Sequence, residues 1–72
     1  MAPQAKFPGD NPHDDLDAYV GLEREAAERR AREHGWTTVR SLPPDAVVTM
    51  EYVAGRLNFS VRDGHVQRSW LG

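Results

Sequence analysis

Residues 56–62, RLNFSVR, constrain the fold more than any other stretch of this sequence. Apolar and polar residues alternate there, which is the period of a β-strand with one face on a core. One predicted face of the strand carries Leu57, Phe59 and Val61, and the other carries Asn58 and Ser60. Asp63-Gly64 follows directly and is a strong signal for a two-residue hairpin. We therefore predict a half-buried strand that pairs antiparallel with a returning strand over residues 65–70.

A single helix is predicted over residues 22–34, LEREAAERRAREH. Ala27 and Ala31 are spaced i,i+4 and form a thin apolar stripe, which lets the helix lie close to a sheet. Gly35 is expected to end the helix in a left-handed conformation, with Trp36 packing back on the last turn. Arginines alternate with glutamates on the remaining surface, which favours a solvated, salt-bridged face over a nucleic-acid-binding one.

A first strand is predicted over residues 36–42, WTTVRSL, and Pro43-Pro44 ends it because neither residue can donate a ladder hydrogen bond. About a dozen residues separate it from the next strand, which is enough for a parallel crossover. One helix cannot cover both faces of such a sheet. The predicted fold class is therefore α+β, with one helix packed on a small mixed β-sheet and a long exposed loop.

The start of the chain is predicted to be a flexible N-terminal tail, residues 1–17, because it is rich in Pro and Asp and has no apolar period. Residues 18–72 are predicted to form a single domain. The start has no apolar run of signal-peptide type, so we expect either a cytoplasmic protein or the mature form of a secreted one. With no cysteine, the domain must be stabilised by packing alone, which supplies only roughly 3–5 kcal/mol at this size.

Composition argues against several function classes. A net charge of −2 gives no strong field for nucleic acid or an anionic membrane. The histidines lie far apart in sequence and there is no cysteine, so no metal site is expected. We find no catalytic triad and no phosphate-binding glycine loop, and therefore expect neither an enzyme nor a cofactor. A monomer is expected, although the edge of a small sheet could pair with a second copy.

The segment between the first two strands, residues 46–53, allows two interpretations. Its β-branched and aromatic residues are typical of a core strand. Glu51 lies in its middle, however, and a buried strand has no favourable place for a carboxylate. Pro43-Pro44-Asp45 and Ala54-Gly55 bound the segment as they would bound a loop. Long ordered loops in compact domains are usually functional, so the pattern alone leaves both interpretations open.

The stretch VVTMEY, residues 47–52, followed by Arg56, resembles the reactive-site loop of the potato inhibitor I family of serine protease inhibitors. Val20-Gly21 before the helix resembles a Val-Gly pair that lies at nearly the same distance from the loop in that family, and Gly72 matches its final Gly. A related bacterial peptidase-inhibitor family is similar in the Gly-Trp end of the helix, the turn before the loop, the Arg-Leu-Asn stretch and the Asp-Gly hairpin. The resemblance covers residues 17–72.

The resemblance implies an inhibitor of serine proteases that presents a substrate-like loop with the scissile bond Met50–Glu51. Met50 would enter a hydrophobic specificity pocket, so the expected partner is a subtilisin-like or chymotrypsin-like enzyme. No nucleic-acid or membrane partner is expected. The resemblance implies that the following residues contact the protease beside the scissile bond: Val47, Val48 and Thr49 on the acyl side, and Tyr52 and Val53 on the leaving-group side.

The resemblance also implies how the loop is supported. Thr49 and Glu51 would form hydrogen bonds with Arg56 beneath them, and a charged donor makes such bonds stronger. The second supporting arginine of the family falls on Asn58, which can form hydrogen bonds but brings no charge. Because that support is weaker, an alternative function stays open, namely a non-inhibitory protein-interaction module on the same fold.

Overall fold

The computed structural model describes residues 11–48 and 51–72. Its elements are a 3-10 helix (Leu16–Tyr19), helix α1 (Arg24–Glu33) and strands β1 (Thr38–Leu42), β2 (Arg56–Arg62) and β3 (His65–Leu71). Helix α1 packs on a three-stranded mixed sheet, so the predicted α+β fold is confirmed. Within the described residues, no helix has the length and apolar character needed to cross a membrane.

The sheet has the strand order β1-β2-β3, which places β2 in the centre. Strand β1 pairs with β2 in parallel, as the long connection predicts, and β3 returns antiparallel beside β2. The hairpin turns at Asp63 (φ 53°) and Gly64 (φ 79°). Two consecutive positive φ values are the requirement of a type I′ turn, so the Asp-Gly signal identified this turn correctly.

Helix α1 ends at a Schellman motif. The N–H of Gly35 donates to the carbonyl of Arg32, and the N–H of Trp36 donates to the carbonyl of Ala31, both at 3.1 Å. Gly35 has a φ of 100°, which a residue with a Cβ adopts only at a cost. The predicted helix end is confirmed, and the buried Trp36 lies back against the core.

The start of α1 differs from the prediction by two residues. Gly21 donates its N–H to the carbonyl of Val66, and Val66 donates its own to the carbonyl of Leu22. These bonds attach the chain before the helix to β3. Leu22 was predicted to be helical, but its backbone is used in this pairing, and α1 begins only at Arg24.

The core lies between α1 and one face of the sheet. Ala27 and Ala31 are fully buried, which confirms the small-residue stripe and brings the helix axis near the strands. The ring of Tyr19 packs against that of Phe59 with centroids 5.3 Å apart. The buried apolar residues form one cluster: Tyr19, Ala27, Ala31, Trp36, Leu57, Phe59 and Val66.

The second face of β2 is also buried, which corrects the prediction of a half-buried strand. Asn58 has no exposed surface, and Arg56 and Ser60 are 9% and 8% exposed. Alternation predicted that this polar face would be solvated. Two of these polar side chains are hydrogen-bonded there: Arg56 to Gly72, and Asn58 to Arg40 and Trp70. The sheet therefore has an apolar core on one side and a buried polar layer on the other.

Residues 11–17 contact the domain, although the tail was predicted to extend through them; residues 1–10 of that predicted tail lie outside the described residues. The side chain of Asp14 is 7% exposed. Its carboxylate accepts hydrogen bonds from Trp36 Nε1 at 2.9 Å and from the hydroxyl of Tyr19, and it lies 2.9 Å from His34 Nδ1. This cluster attaches the segment before the 3-10 helix to the C-terminal end of α1.

The Asp14 cluster changes the acidity of its members. Burial of the Asp14 carboxylate opposes ionisation, but the hydrogen bonds from Tyr19, Trp36 and His34 outweigh it and lower the pKa of Asp14 from 3.8 to about 2. Burial and the hydrogen bond to Asp14 raise the pKa of Tyr19. The ionised carboxylate is therefore the form that the folded state stabilises.

We predict an acid-sensitive contribution of Asp14 to the free energy of unfolding. Because its folded pKa lies below the unfolded one, the contribution is complete above about pH 4 and is lost as the pH falls towards 2, by about 2 kcal/mol. Urea unfolding of the wild type and of Asp14→Asn should show a stability difference that shrinks over this range. Asp17→Asn, an exposed aspartate nearby, is the control. A difference that is constant from pH 5 to 2 would contradict this role.

Candidate functional site

The connection from β1 to β2 has two described parts: an upstream arm, residues 46–48, and a downstream arm, residues 51–55. Thr49 and Met50, for which contacts were predicted, lie outside the described residues. Neither arm belongs to the sheet, and the side chain of Val47 is 93% exposed. The core-strand interpretation therefore fails for the described residues.

Apolar side chains on both arms face solvent. Val48 is 45% exposed and Tyr52 is 60% exposed, and Glu51 is exposed as well. Val53, also predicted to contact a protease, is half-buried. A group of exposed apolar residues on a small domain is a feature of interaction sites.

Arg56 lies beneath the downstream arm, where β2 begins, and is 9% exposed. Its Nε donates to the main-chain oxygen of Gly72 at 3.0 Å, and its Nη2 donates to the same oxygen. Nη2 also donates to the carbonyl oxygen of Glu51 at 3.4 Å. One guanidinium therefore connects the arm to the residue that follows β3.

The Arg56 contact corrects part of the prediction. The arginine was expected to bind the side chains of Thr49 and Glu51. It contacts the backbone carbonyl of Glu51, while the Glu51 carboxylate stays in solvent. Gly72 engages two of the guanidinium donors, so the guanidinium is bound by main-chain oxygens and the exposed carboxylate of Glu51 keeps its hydration. Residue 51 is thus held through its main chain.

The ring of Tyr52 lies directly against Gly72. A Cβ at position 72 would come within 2.5 Å of Tyr52 Cδ1, so only glycine leaves room for the ring. Gly72 also has a φ of 80°, and its N–H donates to the carbonyl of Arg56 at 3.0 Å. Tyr52 is therefore fixed on one side although most of its surface is exposed.

The downstream arm ends in a turn attached to β1. The N–H of Arg56 donates to the carbonyl of Val53 at 3.3 Å, and Gly55 has the positive φ (80°) that the third residue of a type II turn needs. The carbonyl of Gly55 accepts from the N–H of Thr37 at 3.0 Å, from its hydroxyl at 3.1 Å and from the N–H of Thr38 at 3.3 Å. The base of the arm is thereby fixed on the sheet.

Asn58 was predicted to replace a second supporting arginine, and the structure shows where its side chain bonds. Its Oδ1 accepts from Arg40 Nε at 2.9 Å, and its Nδ2 donates to the carbonyl of Trp70 at 3.3 Å. Arg40 lies opposite Asn58 in the β1–β2 register. The guanidinium of Arg40 is therefore bonded to Asn58 on this face of the sheet. It is supplied by β1, whereas the predicted position of the second arginine was on β2.

Two residues of the site were missed by sequence reasoning. Arg40 was read only as part of a strand, because the register that places it beside Asn58 involves residues 18 positions apart. Asn11 was assigned to the tail, yet its side chain contacts both Tyr52 and Gly55. The Pro-rich, polar composition around Asn11 gave no signal of a contact 44 residues along the chain.

A scan against protein-family models and searches of curated proteins and solved structures gave no match to this chain. The interpretation of the site therefore depends on its own geometry. That geometry consists of two exposed arms, the buried Arg56 beneath one of them, and Gly72 packed against the ring of Tyr52.

We predict that Gly72→Ala displaces the ring of Tyr52, whereas Gly64→Ala does not. Both glycines have nearly the same φ (80° and 79°), so both variants bear a left-handed backbone cost of about 1–2 kcal/mol. A Cβ at position 64 meets open space, while one at position 72 meets the ring. NMR signals of the Tyr52 ring should shift, and proteolysis at residues 51–53 should accelerate, only in Gly72→Ala. Unchanged ring signals in Gly72→Ala would contradict the packing of the Tyr52 ring against Gly72.

Proposed function

We propose that this chain is a serine protease inhibitor whose loop presents the Met50–Glu51 bond as a substrate would. The observation that supports the proposal best is the contact of buried Arg56 with the carbonyl of Glu51, the first residue on the leaving-group side of that bond. An ordinary substrate loop is cleaved and released. A loop attached to its domain immediately after the scissile bond resists release.

The first step in the proposed mechanism is docking of the extended loop along an edge strand of the protease. Exposed Val47, Val48 and Tyr52 are available to the cleft on both sides of the bond. Met50 is unbranched and apolar, which suits a hydrophobic specificity pocket and not one with an acid at its base. This chemistry favours subtilisin-like and chymotrypsin-like enzymes over trypsin-like ones.

The second step is acylation that does not proceed to release. The serine hydroxyl of the protease attacks the carbonyl carbon of Met50, the C–N bond breaks, and the nitrogen of Glu51 leaves as an amine. Arg56 donates a hydrogen bond to the carbonyl of Glu51, and the ring of Tyr52 packs against Gly72. The amine therefore stays near the acyl group, and religation competes with hydrolysis because the two groups remain in proximity.

The same contacts support tight binding before any chemistry. Ordering a loop on binding costs conformational entropy, and contacts already made in the free protein reduce this cost. The turn at Gly55 is attached to β1, and residue 51 is attached to Arg56. The downstream arm thus reaches the protease partly ordered.

The proposed function predicts stoichiometric inhibition of subtilisin or chymotrypsin. Titration of either enzyme should reduce activity in proportion to added protein at about micromolar concentration or below, which corresponds to about −8 kcal/mol. Met50→Lys should gain inhibition of trypsin, because a basic side chain suits an acidic pocket. Rapid cleavage after Met50, or no effect on either enzyme, would contradict the proposal.

The alternative is a non-inhibitory interaction module. It is favoured by the exposed Glu51 carboxylate, because the leaving-group side is then held through main-chain contacts and without a side-chain ion pair to Arg56. The same exposed apolar arms would bind a partner other than a protease. An intact loop that neither inhibits nor is cleaved by the two enzymes would support this alternative.

We further predict that Arg56→Ala converts a slow substrate into an ordinary one. Loop cleavage by chymotrypsin at Met50–Glu51 should become several-fold faster, up to about tenfold, because the Nη2–Glu51 bond is long at 3.4 Å and its loss costs about 0.5–1.5 kcal/mol. Arg62→Ala is the matched control, since Arg62 is an exposed arginine at the other end of β2.

Because Arg56 is buried, its replacement also lowers global stability. Cleavage should therefore be compared at a temperature where urea unfolding shows each variant to be almost fully folded. Equal cleavage rates for Arg56→Ala and Arg62→Ala under those conditions would show that Arg56 does not restrain the loop.

A further inference from the structure

We propose that Asn11 is a positioning residue that clamps the downstream arm. Its Nδ2 donates to the hydroxyl oxygen of Tyr52 at 2.6 Å, and its Oδ1 accepts from the N–H of Gly55 at 2.7 Å. The clamp is a contact of the free protein. Its consequence for protease inhibition rests on the function proposed above.

The two bonds use both ends of one side-chain amide. An asparagine amide offers a carbonyl acceptor at one end and N–H donors at the other. Tyr52 and Gly55 lie on either side of Val53 and Ala54, so the amide bridges the turn that returns the arm to β2. Arg56 binds the same arm through Glu51, one residue before the clamp.

Asn11 can serve as a clamp because the residues after it are themselves fixed. Pro12 is buried, and the carboxylate of Asp14 bonds to Trp36, Tyr19 and His34. The hydroxyl of Ser69 on β3 donates to the carbonyl of Leu16. Since the segment is already ordered, placing the Asn11 side chain costs less conformational entropy.

The clamp adds a third attachment on the leaving-group side. After cleavage at Met50–Glu51, the arm would be held by Arg56 at residue 51, by Gly72 at the Tyr52 ring and by Asn11 at the Tyr52 hydroxyl and Gly55. Cleavage removes the covalent connection that keeps the arm ordered, so the two Asn11 bonds form in a smaller fraction of cleaved molecules than of intact ones. Asn11 therefore favours the intact loop at equilibrium. It acts through Tyr52 and Gly55 and needs no contact with the protease.

The test measures the equilibrium ratio of cleaved to intact protein with a catalytic amount of subtilisin, approached from both sides. Asn11→Ala is expected to shift the ratio about tenfold towards the cleaved form, equivalent to about 1.4 kcal/mol. Asn11→Asp should restore most of the effect, because a carboxylate accepts from Gly55 N–H and from the Tyr52 hydroxyl. His13→Ala, an exposed neighbour, should leave the ratio unchanged.

A double-mutant cycle separates positioning from general stability. Tyr52→Phe removes the hydroxyl that Asn11 binds, so the effect of Asn11→Ala should be smaller in that background. Val66→Ala removes core packing from β3, since Val66 belongs to the apolar cluster, which includes no residue of the downstream arm. The positioning role is wrong if Val66→Ala shifts the ratio as much as Asn11→Ala, or if the effects of Asn11→Ala and Tyr52→Phe are additive.

Hydrogen exchange distinguishes failure of the clamp from failure of the proposed function. The Gly55 amide should exchange about tenfold faster in Asn11→Ala than in the wild type, whether or not the wild type inhibits a protease. Faster exchange without wild-type inhibition would overturn the proposed function and keep the clamp. Wild-type inhibition with unchanged Gly55 exchange and an unchanged cleavage ratio in Asn11→Ala would overturn the clamp.

Discussion

The buried guanidinium of Arg56 is the interaction on which the rest of the site depends. A charge removed from water needs hydrogen-bond partners, and here main-chain oxygens of Gly72 and Glu51 accept from Nε and Nη2. This requirement joins the beginning of β2, the residue after β3 and the connecting loop at one point. The polar layer on this face of the sheet then extends through Asn58 to Arg40 and Trp70.

The two faces of the sheet are stabilised by different interactions. Helix α1 and the aromatic pair of Tyr19 and Phe59 provide an apolar core on one face. The opposite face holds polar groups that bind one another and the downstream arm. Hydrogen bonds are directional, whereas apolar packing is not, so the second face can fix the position of a main chain that itself stays exposed.

The fold followed from sequence where the signals were local. Ala27 and Ala31, the Gly35 helix end and the Asp63-Gly64 turn each depend on neighbours within a few residues, and the structure agrees with them. The site depends on register and on distant contacts. Alternation could not show that both faces of β2 are buried, and composition could not show that Asn11 reaches Gly55.

The contact between Arg56 and Gly72 has a consequence for the order in which the site forms. During synthesis, residues 47–52 are made before Gly72. Until Gly72 is added, the ring of Tyr52 has no glycine to pack against and Arg56 lacks its main hydrogen-bond acceptor. Contacts between distant residues also form late in folding, because loop closure opposes them. An incomplete chain would therefore leave residues 51 and 52 without the contacts that restrain them, and the order of the downstream arm would depend on completion of the fold around it.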